Sequence, residues 1–362
     1  MNAKPFLFDL TFDQLQDTLA GWKQPAYRAK QVWEWLYRNA ADSIDAMSNL
    51  PAALRERLDA EFTFSHLTPR IDLTSSDGST RKVLFDLPAR SERDAAAQIE
   101  AVLMGDDTRR TTCISTQAGC AMGCPFCATG QGGLQRNLSA GEIVEQVLFY
   151  ERTLHAQRQP DQTHGLTNIV FMGMGEPFAN YRATIHALER LTDPTGCNFA
   201  ARRITVSTVG LIPGITKFAR DGGQVNLAIS LHAATDELRD QLAPINKTYP
   251  LRDLIEAAQA YIEATNRRLS FEWALIDGVN DSVDQARALA VLVREIPKNM
   301  LHVNLIPLNA TRDYKGGASR RERRAAFRAE LERNGITNTM RVRRGIDINA
   351  GCGQLRQAIA TA

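Results

Sequence analysis

Three cysteines stand close together in Gly119-Cys-Ala-Met-Gly-Cys-Pro-Phe-Cys-Ala128: Cys120, Cys124 and Cys127, in the pattern C-x3-C-x2-C. No fourth Cys or His follows at metal-ligand spacing. A structural zinc site calls for a closed set of four protein ligands. A cubane iron–sulfur cluster has one ligand position per iron, so three thiolates leave one iron open to a small molecule. The spacing favours a [4Fe–4S] cluster on these cysteines, with zinc or buried, unliganded thiols as the alternatives.

These residues have to be positioned by a scaffold. From about residue 108, strand-like and helical stretches alternate, and six strands are expected at 110–115, 168–172, 203–208, 225–231, 269–275 and 300–306. Such alternation predicts an α/β fold with a parallel sheet, open or curled into a barrel. Ser139-Ala-Gly-Glu142 is a capping box ahead of Ile143, Val144, Val147 and Leu148. Further helices are expected over 282–296 and 320–333, the latter stopped by Asn334-Gly335. The cysteine loop follows the first strand and Gly173-Met-Gly-Glu-Pro177 the second. Ser207 ends the third, Ser230-Leu231-His232 the fourth, Asp277-Gly-Val-Asn280 follows the fifth and Asn309 the sixth. Ligands of parallel α/β folds bind at the carboxyl ends of strands, where the loops converge, so these residues define one site.

Ahead of this core, residues 1–64 read as a helical module. Thr11-Phe-Asp-Gln14 forms a capping box before Leu15 and Leu19, and Ala29, Val32, Trp33 and Leu36 line one face of a second helix. Residues 65–105 read as a β extension, with strands around Lys82–Phe85 and Gln98–Leu103 and turns at Asp77-Gly78 and Gly105-Asp-Asp107. The core is expected over 106–345 and a tail over 346–362. Internal repeats are not evident.

Composition sets the outer limits. The 362 residues are 44% apolar, enough for a full core, and no apolar run reaches membrane-spanning length. The N-terminus lacks the charged-then-apolar pattern of a signal peptide, so a cytoplasmic protein is expected. Six cysteines in so long a chain do not form the disulfide framework of a small secreted domain. Net charge is only +2, yet arginines cluster at Arg320, Arg321, Arg323, Arg324 and Arg328, and again at Arg341, Arg343 and Arg344. They are either a nucleic-acid footprint or a solvated face paired with Glu322, Glu330 and Glu332.

C-x3-C-x2-C on the loop after the first strand resembles the signature of radical S-adenosylmethionine (SAM) enzymes. The resemblance implies a partial (β/α)6, TIM-like barrel, one [4Fe–4S] cluster on Cys120, Cys124 and Cys127, and SAM on the unique iron. It also implies SAM contacts at Gly175, Glu176, Ser207, Ser230, Leu231, His232 and Asn309. By itself His232 reads as an ordinary loop histidine. Cys113, ending the first strand in Thr-Thr-Cys-Ile-Ser, and Cys352, in Asn349-Ala-Gly-Cys-Gly-Gln-Leu355, narrow the match. With the helical N-terminal module and Gly-Met-Gly-Glu-Pro, they resemble the RlmN/Cfr family of RNA adenine methyltransferases over essentially the whole chain. Without that resemblance Cys113 reads as a small buried hydrophobe and Cys352 as a mobile tail thiol.

The family's chemistry fits the target. C2 of adenine is electrophilic, as is the methyl group of SAM, so polar transfer between them is mismatched. The resemblance implies that Cys352 takes a methyl from one SAM and that a second SAM, cleaved at the reduced cluster, removes a hydrogen from that methyl. The carbon radical then adds to adenine, Glu100 accepts the C2 proton, and Cys113 releases the product, leaving a Cys113–Cys352 disulfide. Without the resemblance, Glu100 reads as a solvent-facing strand residue, and Cys197 fits no motif. The implied substrates are an unstacked adenine of 23S rRNA and of tRNA, with an electron donor such as flavodoxin and a monomeric enzyme. C8 methylation of the same rRNA adenine is the rival within the family. A zinc-bound, non-catalytic RNA-binding protein is the rival outside it.

Overall fold

The computed structural model describes residues 4–91, 94–105, 108–154 and 165–355. Asp106 and Asp107 of the expected turn, and residues 356–362 of the expected tail, lie outside them. The N-terminal part is helical: α1 (Phe12–Gly21), α2 (Tyr27–Trp33) and α3 (Ala52–Glu61). The expected capping box starts α1, with Thr11 and Gln14 bonding each other's backbone amides. Beyond Trp33 the second helix widens into a π turn over Glu34–Arg38.

A run of antiparallel strands follows: β1 (Thr68–Thr74), β2 (Thr80–Leu87), β3 (Ala97–Gly105) and β4 (Arg110–Cys113). A side arm then leaves the sheet. It comprises β5 (Gln117–Gly119), the cysteine loop, α4 (Ala128–Gln131) and β6 (Leu134–Asn137), with β5 and β6 paired antiparallel. The remainder alternates as α5 (Ala140–Leu154), β7 (Asn168–Phe171), α6 (Tyr181–Thr192), β8 (Ile204–Thr208), α7 (Ile212–Asp221) and β9 (Asn226–Ser230). It continues as α8 (Asp236–Leu242), α9 (Leu251–Thr265), β10 (Leu269–Leu275), α10 (Val283–Leu292), β11 (Leu301–Pro307), α11 (Arg321–Arg333) and β12 (Asn338–Met340).

One sheet carries ten strands in the order β1-β2-β3-β4-β7-β8-β9-β10-β11-β12, parallel from β4 onward. Its ends, β1 and β12, are not bonded to each other, so the barrel wall is open-sided. Periodicity predicts six core strands, and all six are present. β12 is a seventh parallel strand, three residues long and too short and polar to stand out in the sequence. The helix expected over 282–296 ends at Leu292, short of Pro297, whose ring disfavours helical backbone in the residue before it.

Register explains where the site lies. Side chains alternate between the faces of a strand, and partner residues project together. The pairings Val102↔Cys113, Cys113↔Val170, Val170↔Thr205, Ser207↔Ala228, Ser230↔Glu272, Glu272↔Asn304 and Asn304↔Thr339 therefore mark one face. Glu100 and Arg341, two residues from Val102 and Thr339, share it. On the opposite face Val206, Ile229, Trp273 and Val303 join one apolar cluster with Leu188, Ile215, Leu254 and Phe327 of the helices. Parallel strands buried on both faces ordinarily read as continuous apolar runs. Here one face is small and polar, so the barrel interior is left as a cavity.

Candidate active site

The cavity holds about 960 Å³ of empty space, including its open mouth. Ten of the thirteen residues expected in the site line it: Cys120, Cys124, Cys127, Gly175, Glu176, Ser207, Ser230, His232, Asn309 and Cys352. Leu231, Glu100 and Cys113 do not. Leu231 is fully buried and donates its amide to Glu272 O, which sets the turn on which Ser230 and His232 stand.

The three loop cysteines are free thiols on one wall of this cavity. Burial, and then the neighbouring Cys127 and Glu176, push the Cys120 thiol up to about 12, and Cys124 is raised chiefly by burial as well. Metal binding is what converts such thiols to thiolates, since their protons leave as the metal enters. Three thiols with no fourth Cys or His at ligand spacing fit a multi-iron unit, which takes one thiolate per iron, better than a closed four-ligand zinc site.

The next wall is the Gly173–Pro177 loop, laid along residues 114–117. Gly173 N donates to Ile114 O, Thr116 N to Met174 O at 2.8 Å, and Glu176 N to Gln117 Oε1 at 2.8 Å. Gly175 sits at φ +100°, and a Cβ there would lie 2.5 Å from Gln117 Cβ, so this approach admits only glycine. The buried Glu176 carboxylate accepts from Phe178 N (3.0 Å) and Val209 N (2.8 Å), tying the loops after β7 and β8 together. Burial raises Glu176 to about 7, even though both amide bonds oppose the shift.

His232 is set by its surroundings. Its backbone is left-handed, φ +61°, an uncommon conformation for a residue with a side chain. Asn280 holds it there, donating to His232 O (2.8 Å) and Ala274 O (2.6 Å) while accepting from Ile276 N. Nδ1 accepts from Ala274 N at 3.0 Å, which leaves the ring proton on Nε2. Burial, and then the charge of Arg239, lower His232 to about 3, so it is neutral and offers an N–H donor. Ser207 and Ser230 bring their hydroxyls to 3.5 Å from each other. Asn309 donates to Cys352 O at 3.0 Å, and its Oδ1 is buried without a partner. Buried acceptors ordinarily have donors. A ligand carrying N–H or O–H donors, as an amino acid–nucleoside does, would satisfy this one.

Cys352 lies on the cavity rim, exposed but not on a mobile tail. Around it the tail is fastened from Ser76 N to Asp347 Oδ2 (2.8 Å), Lys82 Nζ to Asn349 O (3.2 Å), Ala128 N to Gly353 O (2.8 Å) and Thr129 Oγ1 to Leu355 O (2.6 Å). Cys113 is buried on β4, and burial followed by the Cys352 charge push it up to about 12. Both are free thiols, so the disulfide expected between them is not formed: one sulfur is buried in the sheet and the other accepts from Arg341 on the rim. Glu100 does not face solvent. It is buried, with Lys82 Nζ 2.8 Å from its carboxylate, and shares the concave face with Cys113.

Two residues were missed at this site. Glu272, on β10, is buried, with Oε1 accepting from Asn304 (2.7 Å) and Oε2 unpartnered. Arg341, expected in a basic surface cluster, lines the cavity beside Cys352. No local motif marks either one; cross-strand register does. In the other cluster, Arg328 pairs with Glu332 (2.8 Å) at the surface, whereas Arg323 reaches inward to the buried Asp281 (2.6 Å).

The Radical SAM superfamily model matches residues 114–290, and that of the ribosomal RNA large subunit methyltransferase N-terminal domain matches residues 6–63. Fold and cavity are those of a radical-SAM enzyme. The chain is 49% identical over 352 residues to the probable dual-specificity RNA methyltransferase RlmN of Chloroflexus aurantiacus, covering 96% of this chain and 92% of that protein. It is 45% identical to the protein of the same description from Roseiflexus castenholzii, over 99% of this chain and 98% of that one. A crystal structure of a radical SAM methyltransferase from Sphaerobacter thermophilus superposes with a TM-score of 0.90 at 48% identity, over 97% of this chain and 99% of that one. The chain belongs to the RlmN family of radical-SAM RNA methyltransferases. Membership implies a [4Fe–4S] cluster and SAM, and replaces the reading as a non-catalytic zinc protein. No helix among the described residues is long and apolar enough to cross a membrane.

Proposed function

We propose that this enzyme methylates C2 of an adenine in 23S rRNA and in tRNA, consuming two SAM per turnover, with Cys352 as the methyl carrier. The observation that carries the reading is the place of Cys352: a tail thiol fastened over the cavity that the three loop cysteines line. A cluster on Cys120, Cys124 and Cys127 with SAM bound supplies hydrogen-atom abstraction. The protein's own residues do the rest. Gly175, Glu176, Ser207, Ser230, His232 and Asn309 orient SAM, with Leu231 shaping their turn. The Cys352 sulfur accepts a methyl and presents it to the base. Glu100, held against Lys82, receives the C2 proton. The Cys113 sulfur, a free thiol here, attacks the Cys352 sulfur. An S–S bond forms, the S–CH2 bond breaks with its pair left on the RNA carbon, and that carbon takes a proton to give the methyl group.

The adenine reaches such a site only out of its stack, and the helical module at residues 1–64, ahead of the β extension at 65–105, holds the surrounding RNA. The core at 106–345 and the tail from 346 complete the enzyme, which acts as a cytoplasmic monomer fed by an electron donor such as flavodoxin. Mass analysis of RNA digested after reaction, against C2- and C8-methyladenosine standards, tests the reading. C2-methyladenosine in both rRNA and tRNA is expected, and methyl at C8 overturns the regiochemistry. Cys352→Ala is expected to abolish turnover; normal turnover would sink the carrier role.

A further inference from the structure

Arg341 directly follows β12, the strand that periodicity does not reveal. Its amide donates to Leu305 O at 2.8 Å, continuing the ladder by one residue. Register with Asn304 and Thr339 then turns its side chain into the barrel. There Nη1 lies 3.7 Å from Cys352 Sγ, within hydrogen-bond range for sulfur. A guanidinium beside a thiol favours the thiolate, and the thiolate is the nucleophile.

We propose that Arg341 stabilises the thiolate of Cys352 and thereby makes that sulfur a methyl acceptor, an assignment that rests on the carrier reading above. The step balances without a further reagent. The thiol proton goes to solvent, and a sulfur lone pair forms the new S–CH3 bond. The methyl–sulfonium bond breaks with its pair left on the departing sulfur, giving neutral S-adenosylhomocysteine. The product on Cys352 is an uncharged thioether with nothing further for the guanidinium to stabilise, so Arg341 acts on this step. It is a catalytic residue in the strict sense, since it touches the reacting sulfur.

The surroundings single out Cys352 among the thiols near it. Facing the pair are Cys113 from β4, Glu272 from β10, Lys82 and Glu100 from β2 and β3 beneath the tail, and Glu176 and Cys127 across the cavity. Cys113 is buried and pushed up to about 12, so it stays protonated while its partner reacts. The Glu272 carboxylate opposes a second anion nearby, and Arg341 is the cation in hydrogen-bond contact with the sulfur.

The test uses reconstituted holoenzyme with Cys352 as free thiol, in wild-type, Arg341→Gln and Arg341→Lys forms, each checked for iron content and melting temperature. Iodoacetamide alkylation of Cys352 is followed by peptide mapping at pH 7 and at pH 10. Arg341→Gln is expected to slow alkylation about tenfold at pH 7, with Arg341→Lys intermediate and the difference closing at pH 10, above the ordinary range of thiols. Equal rates at pH 7, or a deficit that persists at pH 10 and so reports access alone, overturn the proposal. Methyl transfer from SAM is read on the same peptide. An alkylation difference with no methyl ever reaching wild-type Cys352 upholds the Arg341–thiolate pair and overturns the carrier reading.

Discussion

Lys82 and Glu100 form an ion pair almost wholly inside the protein, 2.8 Å apart, and Lys82 also holds the carbonyl of Asn349, three residues before Cys352. Removing one member of a buried pair leaves the other charge uncompensated, at a cost of about 3–5 kcal/mol. Lys82→Met is therefore expected to lower the denaturation midpoint and RNA methylation together. Lys82→Met with Glu100→Gln restores stability without activity; full activity in the double variant would remove Glu100 from the chemistry. His232 allows a finer comparison. Asn tolerates a left-handed backbone and its carbonyl can replace Nδ1 as acceptor for Ala274 N, so His232→Asn should fold normally. It lacks the Nε2 donor and should weaken SAM binding by about tenfold, the worth of roughly one hydrogen bond, as calorimetry can measure. With His232 lowered to about 3, SAM affinity should carry no inflection from this ring between pH 5 and 8. The cysteine triad was legible because its three ligands lie within eight residues of sequence. Glu272 and Arg341 were not, because their neighbours are separated from them by long stretches of chain and are fixed only by strand pairing.

Long periodic helices and strands declared themselves in the sequence, and so did the caps of α1 and α5. Ser139 and Glu142 cap α5 as expected, with Glu142 N donating to Ser139 Oγ and Ser139 N to Glu142 Oε2. The same carboxylate also takes two bonds from Arg136 on β6 and one from His66, partners that no spacing rule could foresee. Burial works to raise Glu142, but the bonds from His66 and Arg136 and the charges of Arg136 and Arg90 outweigh it and hold the carboxyl down to about 2. A carboxyl lowered on folding contributes stability above its unfolded pKa and loses it as pH falls through the folded value. That contribution, of order 3 kcal/mol, should be intact at pH 6 and drain away between about pH 4.5 and 2. Urea midpoints measured across that range should fall steeply for wild type. Glu142→Gln should start lower at pH 7 and show a flatter acid limb. An unchanged acid limb in the variant would assign acid sensitivity elsewhere. β12 was illegible for a different reason: three residues with one apolar side chain carry no period, and the strand exists because β11 offers it a free edge.

The N-terminal helices do not sit beside the barrel as a separate bead. Their apolar residues, from Phe6 through Phe62, belong to the same continuous cluster as Val144 and Leu148 of α5 and Leu188 and Leu191 of α6. Polar bonds fix the orientation: Gly141 N to Asp9 Oδ1 (2.9 Å), Arg190 to the carbonyls of Asp9 (2.9 Å) and Leu10 (3.2 Å), and Trp33 Nε1 to Asp193 (2.8 Å). Any RNA held by the module is therefore held at a fixed position relative to the cavity, which is what a base extruded into a buried site requires. Gly141 is the tightest point of the joint, since a Cβ there would lie 2.6 Å from the Phe6 ring. Gly141→Val must push that ring aside, and overpacking of this kind costs about 1–3 kcal/mol. Gly141 does not line the cavity, so cluster content and SAM affinity should survive while the melting temperature falls. RNA methylation under subsaturating RNA should drop several-fold, with the loss in KM for RNA rather than in SAM binding. Equal losses in both would mean that the joint supports the barrel itself; no loss in either would mean that the helices need no fixed seat.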